Sequence, residues 1–365
     1  FFAHRAEPRL LALLDLVALA TVCDVMPLVG LNRALVAQGL KVMARREHAG
    51  IAALLEMAAV KEAPTAHTLG FVLGPRINAS GRIGEPDLAL RLLLLDDPVE
   101  ARAIAARLDE VNRRRQEVEA DVLTGAFAEA ERQAEAGSPV LMICGEGWHP
   151  GVVGIVAGRV KERFNRPTLV ASLAEGLARG SGRSVPGVDL GAAVIAARQS
   201  GLMLTGGGHA MAAGFSFEAG RIEEVRAFLH ERLGHANALP AAADLSVEGT
   251  ISVQAATAGF AAEVGRLAPF GPGNEEPVFA IRRARIVRAD RVGREGGTVR
   301  AFLEGEGGGR LKAVCFRAKE GPLAHLLLNS GGLPLHLCGT LRAESWNGTV
   351  SASLHVQDAA PALEG

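Results

Sequence analysis

Residues 139–172 read PVLMICGEGWHPGVVGIVAGRVKERFNRPTLVAS, and this stretch decides the fold class. An apolar run is followed by a glycine-rich turn, a helical pattern from Gly151 to Phe164, and a second apolar run from Pro167 to Ser172. Strand, turn and helix in alternation are typical of a sheet covered by helices. Further helices are predicted over 190–199 and 221–233, with a strand over 212–217. The sequence therefore predicts an α/β domain.

Helical patterns dominate the chain before this segment. Leu, Ala, Glu and Arg fill residues 88–136, with apolar residues near helical spacing, which predicts a short helix and then a long one over 98–136, closed by Gly137. The apolar run LLDLVALATV at 13–22 fits either a strand or a buried helix, and periodicity does not decide between them. Because the chain opens with FFAH and has no initiator Met, we expect it to be a fragment.

Short strand-like runs follow the α/β domain. His235–Ala243 is rich in Ala and Pro and is predicted to be a linker. Residues 244–358 then contain five or six short runs separated by Gly and Asn turns. This pattern predicts a small barrel, and an OB-like β-barrel is the natural interpretation. The segment Ala359–Gly365 is predicted to be a tail.

Composition sets limits on function. The chain has 365 residues, enough for two or three domains, and 39 Lys and Arg against 40 Asp and Glu give a net charge of -1. That balance argues against binding of nucleic acid through overall charge, but it allows a local basic groove. No apolar run is long enough to suggest a membrane span. The four cysteines lie far apart without a CxxC pair, which favours free thiols in a reducing, cytoplasmic environment.

Two glycine motifs carry the strongest chemical signal. Gly180-Ser-Gly-Arg-Ser184 and Thr205-Gly-Gly-Gly-His209 each lie beside a predicted strand. Glycines let the backbone approach an anion, and Ser181, Ser184 and Arg183 add side-chain donors, Arg183 with a bidentate grip. His209 could donate to a phosphate oxygen. The alternative is a pair of flexible loops with an incidental histidine.

Two further segments are candidates for anion binding. Glu146–Gly154 follows a predicted strand and opens a helix, so its amides could hold an anion, although tight strand–helix packing explains its glycines equally well. It lacks the full GxGxxG pattern and the GKS or GKT of a P-loop, which makes a nicotinamide or ATP enzyme a weak alternative. Gly74–Gly84 is predicted to be a loop whose Arg76 and Arg82 suit a charged backbone. A solvated loop is the alternative there.

Other charged residues are less specific. Asp24 ends an apolar run and is either a metal ligand or a cap, and no HxxxH or paired-carboxylate motif accompanies it. Arg113–Arg115 on the long helix is predicted to be a solvated face. The barrel region is rich in arginine, which predicts either a track for a single strand or a charged edge strand; these residues are Arg282, Arg283, Arg285, Arg288, Arg291, Arg294 and Arg300.

Taken in order, the motifs resemble those of the RecJ family of single-strand-specific 5′→3′ DNA exonucleases, in the DHH/DHHA1 phosphoesterase superfamily. The segments that carry the resemblance are 14–28, Arg76–Arg82, Trp148–Arg159, Ser181–Ser184, Gly206–His209 and Leu267–Phe279. The resemblance implies a C-terminal remnant of a DHH lobe (1–97), a connecting helix (98–137), a DHHA1 domain (138–235) and an OB-fold domain (244–358). Single-stranded DNA would thread between the lobes.

The resemblance also implies roles for individual residues. Two divalent ions, Mn²⁺ or Mg²⁺, activate water in the family, and Asp24 matches its last metal-binding aspartate. His209 matches a position near the scissile phosphate and, with Arg183, is the candidate catalytic pair. Candidate DNA-phosphate contacts are Ser181, Gly182, Ser184, Gly206, Gly207, Gly208, Arg76, Asn78 and Arg82. The expected setting is DNA repair and recombination, as a cytoplasmic monomer without membrane contact, with a helicase and a single-strand-binding protein as candidate partners.

The chain departs from the family pattern before Asp24. The family's Asp-x-Asp, further Asp and Asp-His-His motifs would precede Asp24, and residues 1–23 contain none of them. The nuclease interpretation therefore applies to a longer parent. The alternatives are a non-catalytic module that binds single-stranded DNA, and a DHH phosphodiesterase acting on short oligonucleotides or cyclic dinucleotides.

The fragment interpretation predicts how the chain behaves alone. We expect negligible Mn²⁺-dependent exonuclease activity, because only one expected metal ligand is present, together with weak binding of single-stranded DNA that falls as salt rises. A radiolabelled oligonucleotide assay and fluorescence anisotropy measure the two properties. Robust nuclease activity of this polypeptide would contradict the interpretation.

Overall fold

The computed structural model describes residues 9–234, 245–293, 296–319, 321–346 and 348–362. The chain divides into two compact units, Phe1–Val42 with Asp244–Gly365, and Met43–Ala243. The predicted linker His235–Ala243 lies outside the described residues. The predicted lobe 1–97 is shared between the two units, and its boundary at residue 97 stays a prediction.

The elements of the described residues are as follows. The helices are α1 (Leu14–Cys23), α2 (Gly30–Met43), α3 (Ala49–Met57), α4 (Gly74–Ile83), α5 (Leu88–Leu94), α6 (Pro98–Glu135), α7 (Pro150–Phe164), α8 (Leu190–Gln199), α9 (Ile222–Gly234), α10 (Ala258–Gly265) and α11 (Pro322–Leu328). A π-helical turn over Thr68–Leu73 precedes α4. The strands are β1 (Leu141–Glu146), β2 (Thr168–Ala174), β3 (Leu177–Arg183), β4 (Thr205–His209), β5 (Ala212–Glu218), β6 (Gly249–Ile251), β7 (Val278–Val292), β8 (Thr298–Glu304), β9 (Arg310–Cys315), β10 (Pro334–Trp346) and β11 (Thr349–Pro361).

The long helix α6 begins and ends where the sequence signals it. The Asp97 carboxylate accepts a hydrogen bond from the Val99 amide at 2.8 Å, and Pro98 occupies the first turn. Gly137 follows the last turn with a φ of 77°. The predicted long helix is confirmed.

A five-stranded sheet in the order β1-β2-β3-β5-β4 forms the centre of the second unit. Strands β1 and β2 are parallel, and the remaining neighbours are antiparallel. One face is buried against α8 and α9, in a core that includes Ala178, Phe215 and Phe217. On the other face, α6 and α7 pack against β1 and β2. The predicted α/β fold is confirmed.

Glycines in β3 and β4 are required by close contacts on the α8–α9 face. A Cβ added to Gly180 would lie 2.3 Å from the Val170 carbonyl oxygen, and one on Gly206 would lie 2.9 Å from Val194 Cγ1. A Cβ on Gly207 or Gly214 meets nothing within 4 Å. Since neighbouring residues in a strand face opposite sides, the glycines alternate between a packed face and an open one.

Segments for which the sequence allows or predicts a loop form regular elements instead. The alternative of flexible loops is wrong for Gly180–Arg183 and Thr205–His209, which lie in β3 and β4, where their glycines fit under the neighbouring backbone and α8. The prediction of a loop for Gly74–Gly84 is also wrong. Pro75 opens helix α4, which buries Ala79 and Ser80 and packs against α6. The ambiguous run at 13–22 forms most of helix α1.

The first unit contains a closed barrel. Strands β10, β11, β9, β8 and β7 pair in this order, and β10 closes the ring by pairing with β7, while β6 adds to β7. The predicted OB-like barrel is confirmed. Residues 359–361 pair with β10 as the end of β11, so the prediction of a tail is wrong for them. In the N-terminal part of the unit, Gly39 lets α2 approach α1, and the Leu28 amide donates to the Pro272 carbonyl at 2.6 Å.

The two glycine environments predict that a Gly→Ala substitution lowers stability on the packed face and leaves it unchanged on the open face. Gly180→Ala should lower stability by about 1–3 kcal/mol, because its Cβ collides with fixed backbone. Gly214→Ala, on the open face, should stay within about 0.5 kcal/mol of the parent. Urea unfolding followed by circular dichroism measures both. Equal losses would contradict the assignment of the two faces.

Candidate phosphate-binding site

The open face of the sheet brings the two glycine motifs together. Arg183 and His209 both pair with Ala212, from opposite sides of β5. Residues directly opposite one another in neighbouring strands point to the same face. The backbones of Arg183 and His209 are therefore two strand spacings apart, roughly 10 Å. The sequence prediction that these motifs lie in one place is supported by this register.

Small residues form the floor between them. Two residues along the strands, Ser181 pairs with Gly214, which pairs with Gly207. The next row consists of Arg179, Ser216 and Thr205. These three rows contain cations, hydroxyls and glycines and no carboxylate. The floor offers hydrogen-bond donors and leaves space above its glycines.

Helix α7 borders this floor with glycines of its own. A Cβ on Gly154 would lie 3.4 Å from both Arg183 Nη2 and Ser181 Oγ. One turn earlier, Arg82 Nη1 of α4 donates to the Gly151 carbonyl at 3.1 Å. His149 caps the helix, its Nδ1 accepting from the Gly151 amide at 3.0 Å. The beginning of α7 thus brings Arg82 and Arg183 close together.

These two arginines repel each other. Partial burial lowers the pKa of Arg183, and the charge of Arg82 lowers it further. Partial burial also lowers the pKa of Arg82, with a further decrease caused by Arg115 and an opposing increase caused by Glu119. An anion placed between Arg82 and Arg183 would relieve this repulsion. Arginine pairs of this kind suit phosphate oxygens.

A buried polar cluster on α6 contributes to the same field. Arg115 is 9% exposed, its Nη2 donates to Asn112 Oδ1 at 3.1 Å, and its Nη1 is paired with Glu119. Arg159 of α7 lies 3.8 Å from the same carboxylate. The prediction of a solvated face is therefore wrong for Arg115, which is buried and bonded to Asn112 and Glu119 of the same helix, while Arg113 is exposed.

Several predicted contact residues have structural partners or face the core. Arg76 pairs with Asp109 at 2.9 Å and donates to the Val72 carbonyl at 2.7 Å. Ser184 is buried, and its hydroxyl donates to the Val188 carbonyl at 2.7 Å. Gly182 and Gly206 contribute backbone under α8. We find Asn78 exposed on α4 and Gly208 exposed at the end of β4.

His209 is exposed at the open end of β4. Among the described residues, no hydrogen bond of its imidazole is present in the structure. The ring is therefore available to a ligand lying on the floor, as the sequence prediction requires. Its proposed role near a phosphate stays a prediction.

Sequence reasoning missed three residues of this face. A cavity of about 390 Å³ is lined in part by Arg179, Thr205 and Ser216 together with Ser181. The Thr205 and Ser216 hydroxyls are 2.7 Å apart, and Arg179 is exposed. The signal was present as the spacing 179, 181, 183, because alternate residues of a strand share a face. The sequence analysis does not assign Gly180–Ser184 to a strand, so this spacing does not stand out there.

The predicted metal ligand belongs to the chain's other unit. Asp24 is exposed at the end of α1, where its amide donates to the Ala20 carbonyl at 2.9 Å. The described residues contain no group of three or more His, Cys, Asp or Glu arranged to hold a metal. One exposed carboxylate does not fit a two-ion site.

The arginines of the barrel are largely engaged within it. Arg300 pairs with Asp290 at 2.6 Å, Arg283 with Glu306 at 2.6 Å, and Arg291 donates to the Ala318 carbonyl at 2.7 Å. Strand β7, which carries most of them, pairs with β10 over residues 278–285 and with β8 over residues 285–292. The track for a single strand and the charged edge strand both stay predictions. Arg294 lies outside the described residues.

Comparison with known proteins agrees with both domains. A family model described as the DHHA1 domain matches residues 137–235, and one described as the RecJ OB domain matches 247–358. The single-stranded-DNA-specific exonuclease RecJ of Dickeya dadantii is 39% identical over 322 residues, covering 85% of this chain and 55% of that protein. The protein of the same name from Bacillus subtilis is 31% identical over 359 residues, covering 95% and 44%. The chain thus spans about half the length of these relatives.

Solved structures of RecJ are also similar to this chain. RecJ from Thermus thermophilus in complex with Mg²⁺ matches with a TM-score of 0.79 and 31% identity, over 98% of this chain and 53% of that one. The Mn²⁺ complex matches with a TM-score of 0.80 and 31% identity, over 98% and 51%. Within the described residues, no helix is both long and apolar enough to cross a bilayer.

The charges around Arg82 predict a variant that binds DNA more tightly while being less stable. Glu119→Gln should tighten binding of a single-stranded oligonucleotide, since it removes the carboxylate that faces Arg82 and Arg115. It should also cost about 1–2 kcal/mol of stability, because the buried Arg115 loses a charged partner. Fluorescence anisotropy and thermal unfolding measure these effects. Glu117→Gln, which removes the same charge from an exposed position of α6, is the control; equal tightening by both variants would contradict a local effect.

Proposed function

We propose that this RecJ-like chain holds the phosphate backbone of single-stranded DNA on the open face of its five-stranded sheet, as the substrate-binding part of a 5′→3′ exonuclease. The observation that carries the proposal is the pair Arg82 and Arg183, brought together beside Ser181 at the start of α7. The rows of the open face add donors and no carboxylate. An anion with several oxygens fits this set.

The residues have distinct tasks in this proposal. Arg183 grips one phosphate with two parallel N–H donors, and Arg82 neutralises the same group from the other side. The Ser181 hydroxyl donates a third hydrogen bond. The floor of Gly207 and Gly214 lets the sugar–phosphate backbone lie directly on the strands. His209, at the far side of the floor, donates to a phosphate oxygen and orients the bond to be cleaved.

The OB barrel provides a second contact with DNA in this proposal. Small barrels of this class bind single strands through a groove that follows the backbone. A family model of the RecJ OB domain matches the barrel, which supports this assignment. In this proposal each unit binds single-stranded DNA through its own surface.

Hydrolysis itself is assigned to the longer protein. Related proteins named RecJ have been solved with Mg²⁺ or Mn²⁺ bound, and we propose the same ions for the longer protein, where they would activate water. The described residues offer only Asp24 toward such a site, which is insufficient to hold two ions. This chain's own part is therefore to bind and orient phosphate.

The cellular setting follows from the same proposal. We place the protein in DNA repair and recombination, acting as a cytoplasmic monomer. A helicase that exposes single strands and a single-strand-binding protein are its proposed partners. Each produces or covers the substrate that the open face would hold.

A salt titration tests the phosphate grip. Arg183→Ala should weaken binding of an oligothymidylate about tenfold, and it should reduce the slope of log affinity against log salt by about 0.7, the value for one phosphate contact on a single strand. Arg232→Ala, an exposed charge on α9 on the opposite side of the sheet, is the control and should change neither quantity. Fluorescence anisotropy between low and moderate salt gives both numbers. If the two variants behave alike, the open face is not the binding site.

A further inference from the structure

We propose that Phe71, stacked on His67, is a platform on which a base of the bound single strand stacks. The inference rests on the proposed function, because it concerns the strand whose phosphate is held by Arg82 and Arg183. It adds a contact to the base, whereas the residues above contact phosphate and sugar.

The two rings form a preassembled surface. Their centroids are 4.8 Å apart with an interplanar angle of 27°. Phe71 is 68% exposed, while Leu69 and Leu73 on either side of it are fully buried. A large aromatic ring held in solvent with a stacked partner beside it is costly to expose and ready to receive a third ring. Phe71 lies in the π-helical turn Thr68–Leu73, a distortion frequent at functional sites, and His67 directly precedes the turn.

Helical spacing places the platform on the same side of its helix as Arg82. The π-helical turn continues directly into α4, and Arg82 follows Phe71 by eleven residues, which is about three helical turns. Asn78, also exposed, lies between them. The rise along the axis is roughly 16 Å. A stacked strand covers that distance in about five nucleotides, at ~3.4 Å each.

The charge along this helix favours a nucleic acid as the occupant. Residues 68–83 contain no carboxylate, and because Arg76 is paired with Asp109 of α6, Arg82 is the arginine of this segment that lies at the phosphate site. An aromatic face in line with an arginine at the phosphate site reproduces the combination that proteins use for single strands, in which rings stack on bases and cations follow the backbone. Every base has a flat face, so this contact adds affinity without requiring a particular sequence.

The test separates base contacts from phosphate contacts. The full chain is titrated with an eight-residue oligothymidylate and with the same oligomer made entirely of abasic residues, which keeps the phosphates. Phe71→Leu keeps an apolar side chain in the helix but removes the ring, and Phe71→Trp restores a ring. Leu90→Ala, a 59% exposed leucine on α5, controls for loss of exposed apolar surface. Thermal unfolding verifies that each variant is folded.

The expected result is specific to the base-containing oligomer. Phe71→Leu should weaken its binding about tenfold, in the range measured for stacking on one aromatic side chain, while Phe71→Trp and Leu90→Ala bind it like the parent. All four proteins should bind the abasic oligomer equally. If Phe71→Leu leaves thymidylate binding unchanged, or weakens the two oligomers to the same extent, the stacking platform is excluded.

The proposed function is judged separately in the same experiment. Arg183→Ala should weaken binding of both oligomers, since both carry phosphates. If it weakens both and Phe71→Leu weakens neither, the phosphate site stands and the platform fails. If Arg183→Ala weakens neither, the phosphate site fails, and the platform fails with it.

Discussion

The approach of β3 to its neighbours is the constraint on which the open face of the sheet depends. The Gly180 Cα lies so close to the Val170 carbonyl that a Cβ would lie 2.3 Å from its oxygen. This contact fixes the even-numbered residues of β3 toward the packed core. Arg179, Ser181 and Arg183 must then point to the other side. The register with β5 and β4 carries the same division across to His209.

Electrostatics follows from that placement. Arg183 meets Arg82 at the beginning of α7, and the buried pair of Arg115 with Glu119 lies nearby on α6. The net charge of the chain is -1, so the positive potential is local and comes from geometry. A protein with nearly balanced charges can bind a polyanion through a few arginines that outnumber the carboxylates close to them.

Much of the fold could be predicted because its signals are local. The long helix is bounded by Asp97, Pro98 and Gly137, and the strand–helix alternation after it is visible in the apolar pattern. The motifs GSGR and TGGGH could not be assigned to strands from the sequence because glycine disfavours strands in isolation, whereas here its lack of a side chain is what permits the pairing. Helix α4 was missed for a related reason, since its Gly, Pro and Asn residues weaken a helix that packing against α6 stabilises.

The site residues divide in the same way. Ser181, Arg183 and His209 could be named from the sequence because each accompanies glycines, and Arg82 because it ends a distinctive motif. Arg76 and Ser184 could not be separated from them, since only the fold reveals Asp109 and the Val188 carbonyl as their partners. Arg179, Thr205 and Ser216 required the strand register, which the sequence alone leaves undetermined.

The alternation of packed and open glycines has a consequence for how these strands evolve. Packing requires glycine at 180 and 206, whereas Gly207 and Gly214 have free space above them, so in the proposed function only the bound strand requires glycine there. The proposal therefore implies two different selective pressures on alternate residues of the same strands. A related protein that no longer binds DNA on this face would keep Gly180 and Gly206 but could replace Gly207 and Gly214 by larger residues. The residues at positions 207 and 214 would then distinguish proteins that bind from proteins that do not.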